Sequence, residues 1–273
     1  MTSTDSSAGG ASTADAGVLL VEHDAYGLTG VVRVTMNRPN AYNALSEQLM
    51  AELQAALTAI ARSDARVVVI AAAGRAFCAG HDLKEMRAEP SLDYYKTLFA
   101  QCSALMMTIQ RMPQPVIARV QGTATAAGCQ LVAMCDLAVA ADTARFAVSG
   151  INVGLFCATP SVPLSRNVSR KGAFEMLMTG DFIDAAQARE QGLINRMVPL
   201  DALDAEIGAL AKSICAKPVS AVRAGKSLFY RQLEMGIEAA YQLAGQTMAC
   251  NAMDDATLEG VQAFIEKRPP NWR

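Results

Sequence analysis

The longest uninterrupted apolar run in the chain is Val67-Val68-Val69-Ile70-Ala71-Ala72-Ala73, and its length limits what the chain can become. It is far short of the roughly 20 residues of a membrane-spanning helix, and no other stretch comes nearer. A run that is apolar at every position does not suit a half-solvated sheet either. It suits a strand covered on both faces. Shorter runs of strand character lie at 18–23 and 30–36, which read as an opening hairpin turning at Gly27, and at 116–120 and 137–141. Between them the period changes to that of a helix. Leu49, Leu53, Leu57 and Ile60 recur after a candidate N-cap at Ser46, and a longer pattern over 92–111 stops at Pro113 and Pro115. Strands alternating with helices of this length predict an α/β fold.

From about Lys171 helical patterns dominate, at 173–178, 185–191, 203–216, 221–233 and 237–250, with one further strand-like run at 193–198. The expected organisation is a flexible leader over 1–17, an α/β core over 18–200 and a helical region over 201–273. The leader holds neither the apolar core of a signal peptide nor the basic residues of a transit peptide. Hydrophobic residues make up 52% of the chain but aromatics only 5%, so the core must be built from Ala, Val, Leu, Ile and Met. The net charge of −2 argues against nucleic acid as a partner, because phosphate neutralisation needs a basic surface. The seven cysteines form no C-x-x-C pair and are odd in number. They read as reduced, mostly buried thiols, and a cytoplasmic location is expected from them.

Two histidines, His23 and His81, leave too few ligands for a His-rich zinc site, and no metal is expected. No G-x-S-x-G elbow and no G-x-G-x-x-G turn is present. Ala224-Gly225-Lys226-Ser227 ends like a P-loop, but Ser220 stands where its first glycine belongs. Lys226 is therefore expected on a helix surface, and His23 on an exposed hairpin. Two segments carry more. Gly74-Arg75-Ala76-Phe77-Cys78-Ala79-Gly80-His81-Asp82-Leu83 and Gln121-Gly122-Thr123-Ala124-Thr125-Ala126-Ala127-Gly128-Cys129-Gln130 each follow a strand and lead into a helix. Small residues admit a ligand to the backbone, and the first amides of a helix are unsatisfied and electropositive. Two such amides converging on one point would make an oxyanion hole.

These segments resemble the enoyl-CoA hydratase/isomerase (crotonase) family. So do Met36-Asn37-Arg38-Pro39-Asn40-Ala41-Tyr42-Asn43-Ala44-Leu45, Met134-Cys135-Asp136-Leu137-Ala138, Leu177-Met178-Thr179-Gly180 and Phe264-Ile265-Glu266-Lys267-Arg268. The stretch 150–160 further resembles the family's enoyl-CoA hydratase domain-containing protein 3 branch. The resemblance implies an α/β fold of the crotonase (ClpP-like) ββα-spiral type, with a C-terminal helical region that forms homotrimers or hexamers. It implies an acyl-CoA thioester substrate, of which coenzyme A is a part, with no separate cofactor and no membrane partner. The amides of Ala79 and Ala127 would hold the thioester oxygen and stabilise an enolate. Alanine at 127 keeps the amide, though a positive φ there would bring its methyl into the site. Ala41 and the Gly80–Leu83 segment, with Asp82 in it, would line the coenzyme A channel, Gly128 and Gly150 would also bind substrate, and Phe264 and Lys267 would contact coenzyme A across a subunit boundary.

The resemblance also shows where this chain departs. Gln130 and Gly150 fall where the family's hydratases carry two glutamates. Neither can transfer a proton near neutral pH, so efficient hydration by that route is not expected. His81 is the candidate substitute, while Asp82 and Glu85 read as residues that fix the loop and helix start. Cys157 reads as a buried thiol. Three activities remain open: a lyase or isomerase with an unusual proton carrier, a thioester hydrolase in which Gln130 positions water, and an acyl-CoA binder with little catalysis.

Overall fold

The computed structural model describes residues 17–272, so the leader expected over 1–17 lies, Gly17 aside, outside the described residues. Ten strands occur among them: β1 (Leu19–Glu22), β2 (Val31–Met36), β3 (Val67–Ala72), β4 (Ala76–Cys78), β5 (Val116–Val120), β6 (Thr123–Thr125), β7 (Leu137–Ala141), β8 (Arg145–Ala147), β9 (Ile183–Asp184) and β10 (Arg196–Val198). Six build one sheet in the order β1-β2-β3-β5-β7-β10, and four build a second in the order β4-β6-β8-β9. In the first sheet only β1 runs antiparallel, forming the expected hairpin with β2. The pairs β3/β4, β5/β6 and β7/β8 each send one strand to the large sheet and the next to the small one. That repetition is the ββα spiral.

Eleven helices fill the connections: α1 (Glu47–Ala61), α2 (Leu83–Ala88), α3 (Leu92–Arg111), α4 (Ala127–Met134), α5 (Ala158–Asn167), α6 (Arg170–Thr179), α7 (Ala185–Glu190), α8 (Leu203–Cys215), α9 (Val219–Leu233), α10 (Ile237–Ala252) and α11 (Asp255–Ile265). Why β3 is apolar throughout is now plain. Val68, Ile70 and Ala72 join the main core with Leu49, Leu53 and Leu57 of α1. Val67 and Val69 face the other way, against Leu203, Ile207 and Ala211 of α8. Alternate side chains of a strand point to opposite faces, so both must be apolar when helices cover both. Ser46 caps α1 as expected, its Oγ accepting from the Leu49 amide at 3.1 Å.

One local reading needs correction, and two stretches take a form the sequence did not announce. Residues 76–78 form β4, a strand buried at all three positions around a fully buried Phe77. Gly154 turns the chain ahead of α5, which begins at Ala158 and carries Pro160 in its first turn and Pro163 further in. Lys226 is not on a helix surface. Its ammonium is buried and donates to Ile109 O at 2.8 Å, Gln114 O at 2.8 Å and Asp136 Oδ2 at 2.6 Å. Asp136 also accepts from Tyr230 Oη at 2.7 Å and from the Val116 amide at 2.6 Å. Every charge here is paired, so the cluster fastens α9 to the start of β5. His23 is exposed, as expected.

Removing one member of a buried ion pair strands the other without water or a partner. Lys226→Met is therefore expected to cost about 3 kcal/mol of folding stability. Urea denaturation measures this, and an unchanged midpoint would show that the pair contributes nothing net.

Candidate active site

The two small-residue segments are pressed together backbone to backbone. A Cβ on Gly128 would lie 2.1 Å from the Cys78 carbonyl oxygen, and one on Gly122 would lie 2.0 Å from that of Arg75. Gly80, at φ +91°, leaves room of the same kind: a Cβ there would sit 2.8 Å from Ala126 Cβ and 3.3 Å from the Ala127 nitrogen. Behind this contact, Asn43 is fully buried at φ 51°, and its Nδ2 donates to Ala73 O and Ala76 O at 2.8 Å each. Arg38 donates to Ala44 O at 2.6 Å and to Asp82 Oδ2 at 3.0 Å. Asn43 thus ties the 37–45 loop to the start of β4 and Arg38 ties it to the start of α2, tasks visible in the sequence only as an Asn-Arg-Pro turn.

Which amides remain free follows from strand geometry. The segment around His81 runs parallel to Leu45, with Leu45 N donating to Gly80 O at 2.8 Å and Asp82 N to Leu45 O at 3.2 Å. Backbone groups alternate in direction along extended chain, so the His81 amide points away from Leu45. It has no protein acceptor among the described residues. The Ala79 amide is already committed, donating to Tyr42 O at 3.1 Å. Ala79 thus cannot offer the free donor expected of it, and the unspent amide lies two residues on. On the second segment the Ala127 amide opens α4 and also lacks a protein acceptor. The positive φ anticipated at Ala127 falls instead on Ala126, at φ 50° and ψ −121°. That conformation is one glycine adopts freely, and strain of order 1–3 kcal/mol is stored there.

Both free amides belong to residues lining a cavity of about 220 Å³. Leu83, Met86, Phe99, Val153, Leu155 and Phe156 give it apolar walls, and no Asp or Glu lines it. Gly150 and Cys157 close one side. The Gly150 amide donates to Cys157 Sγ at 3.3 Å, and a Cβ on Gly150 would meet Leu155 O at 2.5 Å and Cys157 Sγ at 2.7 Å. No side chain fits at 150 without displacing the 155–157 backbone. Burial pushes the Cys157 thiol up, against the Gly150 amide, so it stays protonated near neutrality. Ser149 Oγ is paired with Thr125 Oγ1 at 2.7 Å. Gln130 is buried on α4 but is not part of the cavity wall, and its Oε1 has no protein partner.

His81 sits edge-on to Phe99, ring centroids 5.5 Å apart, with both ring nitrogens buried. Burial pushes its pKa down to about 4, outweighing a hydrogen-bonding contribution from the Leu45 backbone, so the imidazole is neutral at pH 7. Asp82 is spent on structure. Burial works to raise its pKa, but Arg38 and the Lys84 amide outweigh that and hold it below the ordinary value. Glu85 accepts from the Glu47 amide at 2.9 Å, tying α2 to α1. Ala41 lies in a short turn at the Asn-Arg-Pro loop, outside the cavity. Phe264, 85% exposed on α11, and Lys267 just beyond it stand apart from the cavity. Phe99 and Ser149 carried no sequence signal, since each reads as ordinary core or loop.

Fold and site together define a crotonase-type protein. The sequence model of the enoyl-CoA hydratase/isomerase family matches residues 27–273, and the chain belongs to that family. Among its relatives, the mitochondrial enoyl-CoA hydratase domain-containing protein 3 of Mus musculus is 46% identical over 244 residues, covering 89% of this chain and 81% of the relative. The Xenopus laevis protein of the same name is 47% identical over 245 residues, with 89% and 83% covered. The crystal structure of an enoyl-CoA hydratase from Mycobacterium smegmatis is 62% identical at TM-score 0.92, covering 94% of this chain and 99% of that one. That of human enoyl Coenzyme A hydratase domain-containing protein 3 is 42% identical at TM-score 0.90, with 94% and 100% covered. The expected likeness to that branch holds. The cytoplasmic location does not: the curated relatives at 43–47% identity are named as mitochondrial. Unpaired thiols separate reducing from oxidising compartments and cannot tell one reducing compartment from another.

As pH falls, the unfolded chain protonates His81 near 6.5 while the folded chain keeps it neutral to about 4. The unfolded state then binds more protons, so stability is lost from about pH 6.5 down to about 4, by roughly 3 kcal/mol at ~1.4 kcal/mol per unit. In urea titrations across this window, His81→Phe is expected to lose that share of the slope. Equal slopes in both proteins would contradict a buried neutral imidazole.

Proposed function

We propose that this chain binds an acyl-CoA thioester and polarises its carbonyl between the amides of His81 and Ala127, stabilising enolate character on the acyl group. The observation that carries this reading is the pair of unspent amides on the wall of an apolar cavity. Each such donor is worth roughly 3–4 kcal/mol to a developing oxyanion in other enzymes. Proton transfer is where the chain departs from a two-carboxylate hydratase. The cavity wall holds no Asp or Glu, Gly150 has no room for a side chain, and Gln130 lies off the wall. That supports a second reading beside catalysis, a thioester binder with little turnover, and disfavours hydrolysis directed by Gln130. For any chemistry that does occur, His81 is the imidazole on the cavity wall able to carry a proton, and a weak base because its pKa is low.

Coenzyme A itself would lie along Ala41 and the Gly80–Leu83 backbone. The helical region over 201–273 exposes Ile237, Tyr241, Met248 and Phe264 at 73–85%, which supports a homo-oligomer, trimer or hexamer, bringing Phe264 and Lys267 to a neighbour's ligand. On this reading octanoyl-CoA binds with a heat signal in calorimetry. Crotonyl-CoA is hydrated at least ~10²-fold more slowly than by a relative with both carboxylates, since each general acid–base role supplies about that much. Hydration at the relative's rate contradicts the reading of the proton-transfer groups. Absence of thioester binding contradicts the whole reading.

A further inference from the structure

Of the non-glycine residues on the cavity wall, Ala126 alone has a positive φ, 50° with ψ −121°. Alanine at such a position destabilises a fold, whereas glycine adopts it without strain. Three contacts hold the residue there. Its amide donates to Ala147 O at 3.0 Å, and its carbonyl accepts from the Gln130 amide at 3.1 Å. Its Cβ lies over Gly80, 2.8 Å from where a Cβ of that residue would be. At ψ −121° the tetrahedral geometry of an L residue brings Cβ into eclipse with the next nitrogen, here that of Ala127. In a trans peptide the N–H lies on that same side. The methyl therefore flanks the Ala127 N–H, and an oxygen accepting from that amide rests against it. Strain kept beside a ligand donor is a mark of function, since the backbone alone would be better served by glycine. Resting on the acyl-CoA reading, we infer that the Ala126 methyl gauges the α carbon of the acyl chain. It admits acyl-CoA thioesters with an unbranched α carbon and excludes those branched there.

The chemistry of the thioester says where bulk can matter. Its carbonyl carbon bears the oxygen, the sulfur and the α carbon. The sulfur carries a single methylene in every acyl-CoA, so only the α carbon varies from one ligand to another. An unbranched α carbon turns its chain away from Ala126 and presents hydrogen to the methyl. A branched one bears two carbons and can turn only one of them away. The methyl cannot step aside, because the Ala126 amide and carbonyl are both bonded and Gly80 lies beneath its Cβ. Forcing a further methyl against a packed one is unfavourable. Farther along the chain the walls are looser. Met86 is an adaptable side chain, and Val153 and Phe156 are 68% and 41% exposed. A branch one carbon beyond the α position therefore finds room.

The test uses valeryl-CoA, 2-methylbutyryl-CoA and isovaleryl-CoA, isomers whose acyl groups differ only in where they branch. Calorimetry gives their dissociation constants in the wild type, Ala126→Gly and Ala126→Ser. The quantity read is the ratio of affinities within each protein, so a general weakening in a variant cancels. The wild type is expected to bind valeryl-CoA about tenfold more tightly than 2-methylbutyryl-CoA, the penalty of one methyl too many in a packed site. Isovaleryl-CoA, branched one carbon farther out, stays within about threefold of valeryl-CoA. Ala126→Gly keeps the amide but removes the methyl, and brings the tenfold ratio to about one. Ala126→Ser keeps a group of similar size and retains the exclusion, which separates bulk from glycine flexibility. Equal binding of the three isomers to the wild type overturns the inference while leaving the acyl-CoA reading intact. A ratio that survives in Ala126→Gly overturns it as well, and so does a penalty on isovaleryl-CoA as large as that on 2-methylbutyryl-CoA. Failure of all three, and of octanoyl-CoA, to bind the wild type removes the reading beneath it.

Discussion

The site depends on one steric fact: two stretches of main chain touch where no side chain fits between them. Gly128 lies against the Cys78 carbonyl and Gly122 against that of Arg75, each so close that a Cβ would fall about 2 Å from an oxygen. Close packing normally separates backbones by side chains, so this contact is available only through glycine. It seats the first turn of α4 directly on β4, and with it brings the Ala127 amide beside the Gly80–His81 segment. The strained Ala126 is a consequence of the same approach, because the chain must turn sharply from β6 into α4 within one residue. Asn43, Arg38 and Asp82 then hold the outer loop in place by hydrogen bonds to backbone and to one another.

Binding a carbonyl and moving a proton are separable tasks, and on the proposed reading the two unspent amides serve the first. Backbone amides do not depend on side-chain identity, so the donors survive substitutions that remove every carboxylate from the wall. The Gly150–Cys157 turn makes the removal structural. Its hydrogen bonds and close contacts occupy the volume that a side chain at 150 would need. The cavity that results is mostly apolar and lined by no Asp, Glu, Lys or Arg, conditions in which amide dipoles act strongly on a carbonyl. They are also conditions that disfavour forming an ion, which is why the His81 imidazole stays neutral.

Much of the architecture was legible because it follows from periodicity. The run at β3, the stripe on α1 and the length of α3 are local patterns whose physical cause is local too. What escaped notice shares a different cause. Residues 76–78 carry no strand signal because a three-residue strand is too short to show alternation, and β4 exists only through pairing with β6. The prolines after Gly154 hide the start of α5, though Pro is tolerated early in a helix. Lys226 looked like surface because its partner Asp136 is 90 residues away and invisible to any local window. At the candidate site the motif located the right segment but not the right amide. Whether the Ala79 or the His81 N–H is free depends on Tyr42 and Leu45, which belong to another loop. Phe99 and Ser149 came to the cavity from elements that carry no motif at all.

The central claim is that two backbone amides grip and polarise a thioester carbonyl. Isotope-edited infrared difference spectroscopy of octanoyl-CoA labelled with ¹³C at the thioester carbon observes that bond alone. Hydrogen bonds from the His81 and Ala127 amides withdraw electron density from it, so the account predicts a bound carbonyl band shifted to lower frequency than in water and narrowed. A bound ligand whose carbonyl band keeps its solution position and width would contradict the account.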